Sequence, residues 1–230
     1  IGTVNDFSKI KKIIENKDIL FLLDAVHYAP HFPIDVKKIG CDILLCSAYK
    51  FYGPHIGILY CKLNLLDKLE TDRLIVQEQT APYRIETGTL NHAACHGVEK
   101  AIDFISSLGS GNTYRDKIDD AYEKLGKHEN KLASYLYNSL SRIKNIEVIG
   151  PDFSNLRTPT VSFIHKKKSA NEVCKILGEN NICAWDGHFY AIKAIQKLGL
   201  EEHGGVTRLG ISVYNNEEEI ENTIKVISQI

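Results

Sequence analysis

Short apolar runs interleaved with amphipathic helical stretches predict an α/β layer architecture. Residues 19–23, 41–46 and 56–61 are apolar nearly throughout, the pattern of strands in a sheet covered on both faces. A stretch with helical spacing precedes the first run, and further helical stretches follow the third. With 230 residues, 43% hydrophobic and 25% charged, the chain holds one large domain or two modest ones and is neither disordered nor fibrous in composition.

Asn5 caps a predicted helix over 6–16, placing Phe7, Ile10, Ile13 and Ile14 on one face. Residues 19–23 then read as a buried strand that ends on Asp24. Residues 41–46 make a second strand, and 56–61 a third after the turn signal Gly53-Pro54. Residues 92–108 read as a helix ended by Gly109. Gly109-Ser110-Gly111 is the predicted boundary, dividing the chain into 1–110 and 111–230. A long helix follows from Tyr114 to about residue 143, with Lys, Glu and Leu at helical spacing. After Gly150-Pro151, strands at 158–164 and 181–185 and helices over 169–179 and 217–229 predict a smaller α+β domain.

Lys plus Arg number 28 against 29 Asp plus Glu, so no basic excess offers the surface that nucleic acid requires. No apolar run approaches the roughly 18–20 residues of a membrane span. Six cysteines, at 41, 46, 61, 95, 174 and 183, include no C-x-x-C pair and are too sparse for a disulfide scaffold, which predicts a reducing, cytoplasmic setting. The chain starts on Ile1 and has no Met, so it reads as a piece of a longer protein. His92, Cys95 and His96 have helical spacing without a further ligand, and no metal site is predicted. No dinucleotide or Walker loop is present.

Two residues carry the chemistry. Asp24 closes one predicted strand and Lys50 follows another, and ligands of open α/β sheets bind at the carboxyl ends of strands. A carboxylate at a buried strand end needs a cationic or hydrogen-bonding partner. A partly desolvated lysine has a lowered pKa, and its free amine can form a Schiff base with an aldehyde. Pyridoxal phosphate needs both groups: a lysine for its aldehyde, and an acid that keeps its pyridine nitrogen protonated. Ser47, three residues before Lys50, can offer a hydroxyl to a phosphate.

These residues lie in longer motifs. Asp24-Ala25-Val26-His27, Asp35-Val36, Cys41-Asp42, Ser47-Ala48-Tyr49-Lys50-Phe51-Tyr52-Gly53-Pro54 and Gly57-Ile58-Leu59-Tyr60 resemble the class V aminotransferases, most closely the cysteine desulfurase and selenocysteine lyase branch. Glu86-Thr87-Gly88-Thr89-Leu90-Asn91 is similar to that branch's glycine-threonine loop. Arg208-Leu209-Gly210-Ile211-Ser212-Val213-Tyr214-Asn215 is similar to its C-terminal arginine motif.

The resemblance implies part of a fold type I pyridoxal-phosphate enzyme. Residues 1–110 would be the latter part of a large, mostly parallel cofactor domain, and 111–230 its small α+β domain. Lys50 would form the Schiff base with the cofactor, Asp24 would pair with its pyridine nitrogen, and His27 would lie near its phenolic oxygen. Ser47 would bind the phosphate, with Tyr49 standing where a histidine is common. Thr89 would reach the phosphate of a neighbouring subunit's cofactor, implying a homodimer. Arg208 would grip the α-carboxylate of an amino acid substrate. The family's N-terminal half supplies a ring-stacking residue and a phosphate turn, so these 230 residues alone are expected to bind cofactor poorly and to be inactive. The desulfurase thiol has no counterpart in Trp185-Asp186-Gly187-His188-Phe189-Tyr190-Ala191, where Tyr190 takes its place. Two alternatives stay open: a non-enzymatic relic or interaction protein that kept the fold, and a desulfurase using Cys183.

Overall fold

The computed structural model describes residues 1–86 and 88–230. Two units form: Asn5–Lys124, and Leu125–Ile230 together with Ile1–Val4. The division between these two units falls inside the long helix, and the Gly109-Ser110-Gly111 turn lies within Asn5–Lys124. That turn is packed into the first unit. A Cβ on Gly109 would stand 1.9 Å from the Lys117 carbonyl oxygen, and the Ser110 N–H donates to Asp120 at 2.7 Å.

In the Asn5–Lys124 unit, helix α1 (Phe7–Ile14) is capped by Asp6, whose carboxylate accepts the Lys9 N–H, rather than by Asn5. Strand β1 is Leu22–Asp24 and β2 is Ile43–Ser47, with the short helix α2 (Val36–Ile39) between them. Strand β3 (Gly57–Cys61) and the short α3 (Leu63–Leu66) precede α4 (His92–Ser107). The sheet order is β1-β2-β3. β1 pairs parallel to β2 with Asp24 opposite Leu45, and β2 pairs antiparallel to β3 with Ser47 opposite Gly57. The expected mostly parallel sheet is therefore mixed. Residues 48–56 are too few for the crossover that a parallel β3 requires.

The sheet is also covered on one face only within this unit. Leu44, Cys46, Ala48 and Phe51 pack with Ala101 and Ile105 of α4. Leu22, Asp24 and Leu59 lie on the opposite face, with Leu22 50% and Leu59 49% exposed. The run 19–23 is thus not the buried strand its composition predicts. Ile19 and Leu20 precede β1 and are exposed, and strand alternation turns Leu22 outward.

In the other unit, α5 (Tyr114–Leu140) leads into β4 (Ile146–Ile149), β5 (Thr160–His165), α6 (Ala170–Glu179), β6 (Trp185–Gly187), α7 (Ile192–Leu198), β7 (Val206–Gly210) and α8 (Glu217–Ser228). The sheet order is β4-β5-β7-β6, antiparallel throughout. Val161, Phe163 and Leu209 face Val173 and Leu177 of α6, Ile220 and Ile227 of α8, and Leu132, Leu136 and Leu140 of α5. On the other face, Ile164 and Val206 meet Ile195 and Leu200. The strand predicted at 181–185 begins only at Trp185, because α6 ends through Asn180 and a left-handed Asn181. Cys183 consequently lies ahead of the strand and is exposed. Among the described residues no helix is long and apolar enough to cross a membrane.

His165 gives this unit a pH dependence. Its Nδ1 accepts the Lys167 N–H at 3.2 Å, and its buried Nε2 has no acceptor. Burial, and then Lys168 and Lys167, hold its pKa below the ordinary 6.5. Near and below pH 6.5 the unfolded chain therefore takes up the proton before the folded one, and stability falls with pH. Urea midpoints of wild type and His165→Gln are expected to diverge from the wild type's disadvantage below pH 6.5 and to run parallel above it. Parallel curves throughout would exclude this residue as the source.

Candidate active site

Parallel pairing brings two strand ends to one edge. β1 ends on Asp24, opposite Leu45 of β2, and β2 ends two residues later on Ser47. After β1 the chain turns sharply, with the Ala25 N–H donating to the Leu45 carbonyl at 2.8 Å and the Tyr28 N–H to the Ala25 carbonyl at 3.0 Å. Asp24 Oδ1 accepts the Val26 N–H at 2.9 Å. Asp24 is exposed, not buried as a strand-end carboxylate was expected to be, and among the described residues it has no cationic partner. His27 follows on the same turn, exposed, with its ring edge-on to His31 at 5.5 Å.

After β2 the chain makes a single 3-10 turn, Ala48–Phe51. The Gly53 N–H donates to the Ala48 carbonyl at 2.9 Å, and Tyr52 takes a left-handed φ of 70° to close the turn. A Cβ on Gly53 would meet Ala48 at 3.0 Å, which explains a glycine there. The Ser47 hydroxyl makes no capping hydrogen bond. Lys50 Nζ lies 5.8 Å from the Tyr49 ring centroid and has no carboxylate partner among the described residues. Tyr49 in turn stacks on His55, with ring centroids 4.8 Å apart and planes 5° apart.

Asp24, His27, Ser47, Tyr49 and Lys50 thus belong to one edge of one sheet. Thr89 is an exposed residue in the segment before α4, and Thr87 of the same motif lies outside the described residues. Arg208 is on β7, in the other unit. Its guanidinium carbon lies 4.0 Å from the Phe189 ring centroid, and burial lowers its pKa. It has no acidic partner among the described residues. Two partners escaped the sequence reading, His55 against Tyr49 and Phe189 against Arg208. Each contact joins residues whose spacing follows no helix or strand period, so only the turn geometry reveals it.

Two thiols, Cys95 and Cys183, are exposed. Residues 185–191 contain none, and Tyr190 is 98% exposed. Cys174 is half-buried, and burial followed by the Asp186 charge pushes its pKa to about 11, so it stays a thiol. Among the described residues no cluster of three His, Cys, Asp or Glu side chains could hold a metal.

The family model "Aminotransferase class-V" matches residues 1–223. A probable cysteine desulfurase of Methanothermobacter thermautotrophicus is 30% identical over all of this chain and 58% of its own length. One from Borreliella burgdorferi is 30% identical over all of this chain and 56% of its own. The apo structure of cysteine desulfurase from Thermococcus onnurineus superposes with a TM-score of 0.85 at 25% identity, covering 99% of this chain and 56% of that one. The chain therefore spans a little over half the length of the curated relatives it matches. On the strength of a match that runs through both units, the chain belongs to the class-V aminotransferase family.

Proposed function

We propose that the protein containing this chain is a fold type I pyridoxal-phosphate enzyme acting on an amino acid, like the cysteine desulfurases it resembles. One observation carries the reading. At the shared end of β1 and β2, the Asp24 carboxylate on β1, the Ser47 hydroxyl on β2 and the Lys50 amine on the turn after β2 stand without an ion-pair or capping partner among the described residues. Such unpaired groups fit the cofactor's three handles: a pyridine nitrogen, an aldehyde and a phosphate.

Bound pyridoxal phosphate supplies an electron sink for negative charge developing at an amino acid's α-carbon. The chain's residues would do the rest. Asp24 would hold the proton on the pyridine nitrogen with Oδ2, the oxygen that the Val26 N–H leaves open. Lys50 would hold the cofactor's aldehyde carbon and would move a proton at the substrate α-carbon. Ser47 and Tyr49 would donate hydroxyl hydrogen bonds to the phosphate, and His27 would face the phenolic oxygen. Thr89 would serve the neighbouring subunit of a homodimer. Arg208 would fork the α-carboxylate, orienting the bond to be broken. Residues 1–110 would belong to the cofactor domain and 111–230 to the small domain.

Cofactor binding by the full-length protein tests the proposal. Adding pyridoxal phosphate is expected to give a visible absorbance band that survives desalting, and Asp24→Asn should shift it. A protein that takes up no cofactor would instead be a relic of the fold. The sulfur branch has its own check. A phenol at position 190 cannot accept sulfur as a persulfide, so incubation with cysteine is expected to leave the peptide carrying Cys183 unchanged in mass. Gain of one sulfur atom on that exposed thiol would restore the desulfurase mechanism.

A further inference from the structure

The turn after β6 holds two bulky residues in a backbone region that L side chains avoid. Phe189 has a φ of 50° and Tyr190 a φ of 62°. His188 braces the turn: its Nδ1 accepts the Tyr190 N–H at 3.1 Å, and its carbonyl accepts the Ala191 N–H at 2.7 Å. Tyr190, almost wholly exposed, gains from this geometry an edge-on contact with the His188 ring at 6.4 Å. Phe189 gains more. Its ring packs with Ile164, Ile195, Leu200 and Val206, and meets the guanidinium of Arg208 at 4.0 Å.

Arg208 has no acidic partner among the described residues, and burial and then the Arg208 charge lower the pKa of the Ile1 ammonium, a second cation in its surroundings. The register neighbours of Arg208 are Ser162 on β5 and Trp185 on β6. No hydrogen bond or ion pair to its guanidinium forms among the described residues, although the group is half-buried. A cation partly stripped of water, with an aromatic face as its one partner, is electrostatically unsatisfied. The ring lies 4.0 Å from the guanidinium carbon, and among the described residues no acceptor takes the guanidinium N–H groups, so these donors remain available to a carboxylate.

We infer that Phe189 is a positioning residue, holding Arg208 in the orientation that receives the substrate α-carboxylate. This rests on the carboxylate role proposed for Arg208. The strained turn is then the means by which a ring following β6 reaches a side chain on β7.

The test compares L-alanine with ethylamine, which lacks the carboxylate, as ligands of the full-length, cofactor-loaded protein. Spectroscopic titration gives the ratio of their affinities. Phe189→Leu, which keeps apolar volume but removes the ring, is expected to lower that ratio about 3- to 30-fold, the range of a partly desolvated cation–aromatic contact. Phe189→Tyr should stay within about twofold of wild type, since the ring face is retained. Arg208→Ala should erase the preference. A Leu variant that keeps the wild-type ratio while the Ala variant loses it overturns the inference and leaves the Arg208 reading standing. An Ala variant that keeps the ratio overturns both. A readout without cofactor covers a Leu variant that folds poorly. Propanoate is expected to raise the unfolding temperature of cofactor-free wild type and Phe189→Tyr above the rise that chloride gives at equal ionic strength. Phe189→Met should lose most of that increment, and an undiminished increment would count against the role of the ring.

Discussion

Replacing Lys50 with alanine in the full-length protein is expected to remove the visible absorbance of bound cofactor and to lower turnover about 10²–10⁴-fold, the range for loss of a positioned proton-transfer group. The expectation follows from where the amine stands. Lys50 lies on a 3-10 turn that directly continues β2, so its backbone is held by the sheet. Its ammonium has the Tyr49 ring as neighbour and no carboxylate to neutralise it among the described residues. A lysine kept for stability would be expected in an ion pair, as Lys62 is with Asp42 at 2.7 Å. Alanine at position 50 should accordingly leave the urea midpoint nearly unchanged, because substitutions away from buried contacts seldom exceed about 0.5 kcal/mol. Loss of the band with an intact fold supports the assignment. A band that persists without the lysine amine refutes it.

Arg157→Ala should act in the opposite way, on the fold rather than the chemistry, costing about 3–5 kcal/mol. The side chain is only 2% exposed and is among the largest fully buried ones in the chain. Its guanidinium donates to the carbonyls of Pro151, Thr158, Thr160 and Ile1. It also lies over the rings of Phe153, at 4.4 Å, and Tyr137, at 5.5 Å. Burial lowers its pKa, the Tyr137 and Asp152 charges oppose that shift, and the carbonyls add further partial negative charge. Through these bonds Arg157 fastens the first residues to the sheet of their unit. The Thr158 N–H donates to the Gly2 carbonyl at 2.9 Å, and Thr3 bridges to Arg157. Gly2 fits because a Cβ there would stand 2.6 Å from an Arg157 nitrogen. Truncation would strand several carbonyls and open a cavity between two rings. Arg157→Met, which fills part of the space without polar groups, should recover part of the loss in urea unfolding. A loss below about 1 kcal/mol on Arg157→Ala would mean that water replaces the guanidinium adequately.

The helices show why much of the fold is readable from residue order. α4, α6 and α8 begin where Asn91, Ser169 and Asn216 can cap, and Ser169–Glu172 and Asn216–Glu219 complete capping boxes. Those signals act over three or four residues and need no distant partner. The same holds for the strand-end positions of Asp24 and Lys50, which follow from where apolar runs stop.

Sheet relations behave differently, because each depends on chain far away in sequence. Leu22 looks like a core residue, yet it faces outward because its register with Ile43 assigns it to the uncovered face. β3 runs antiparallel because a nine-residue connection, 48–56, cannot cross over. The 181–185 run yields its strand to Trp185–Gly187 because β7 offers partners only from Arg208 back to Val206. The site divides along the same line. Residue types and order were enough to nominate an acid, an amine and an arginine. That among the described residues the acid has no cationic partner and the amine no acidic one, and that the arginine lies against Phe189, is decided only by the folded chain. Charge pairing and ring contact are set by distances in space, and a linear pattern does not encode them.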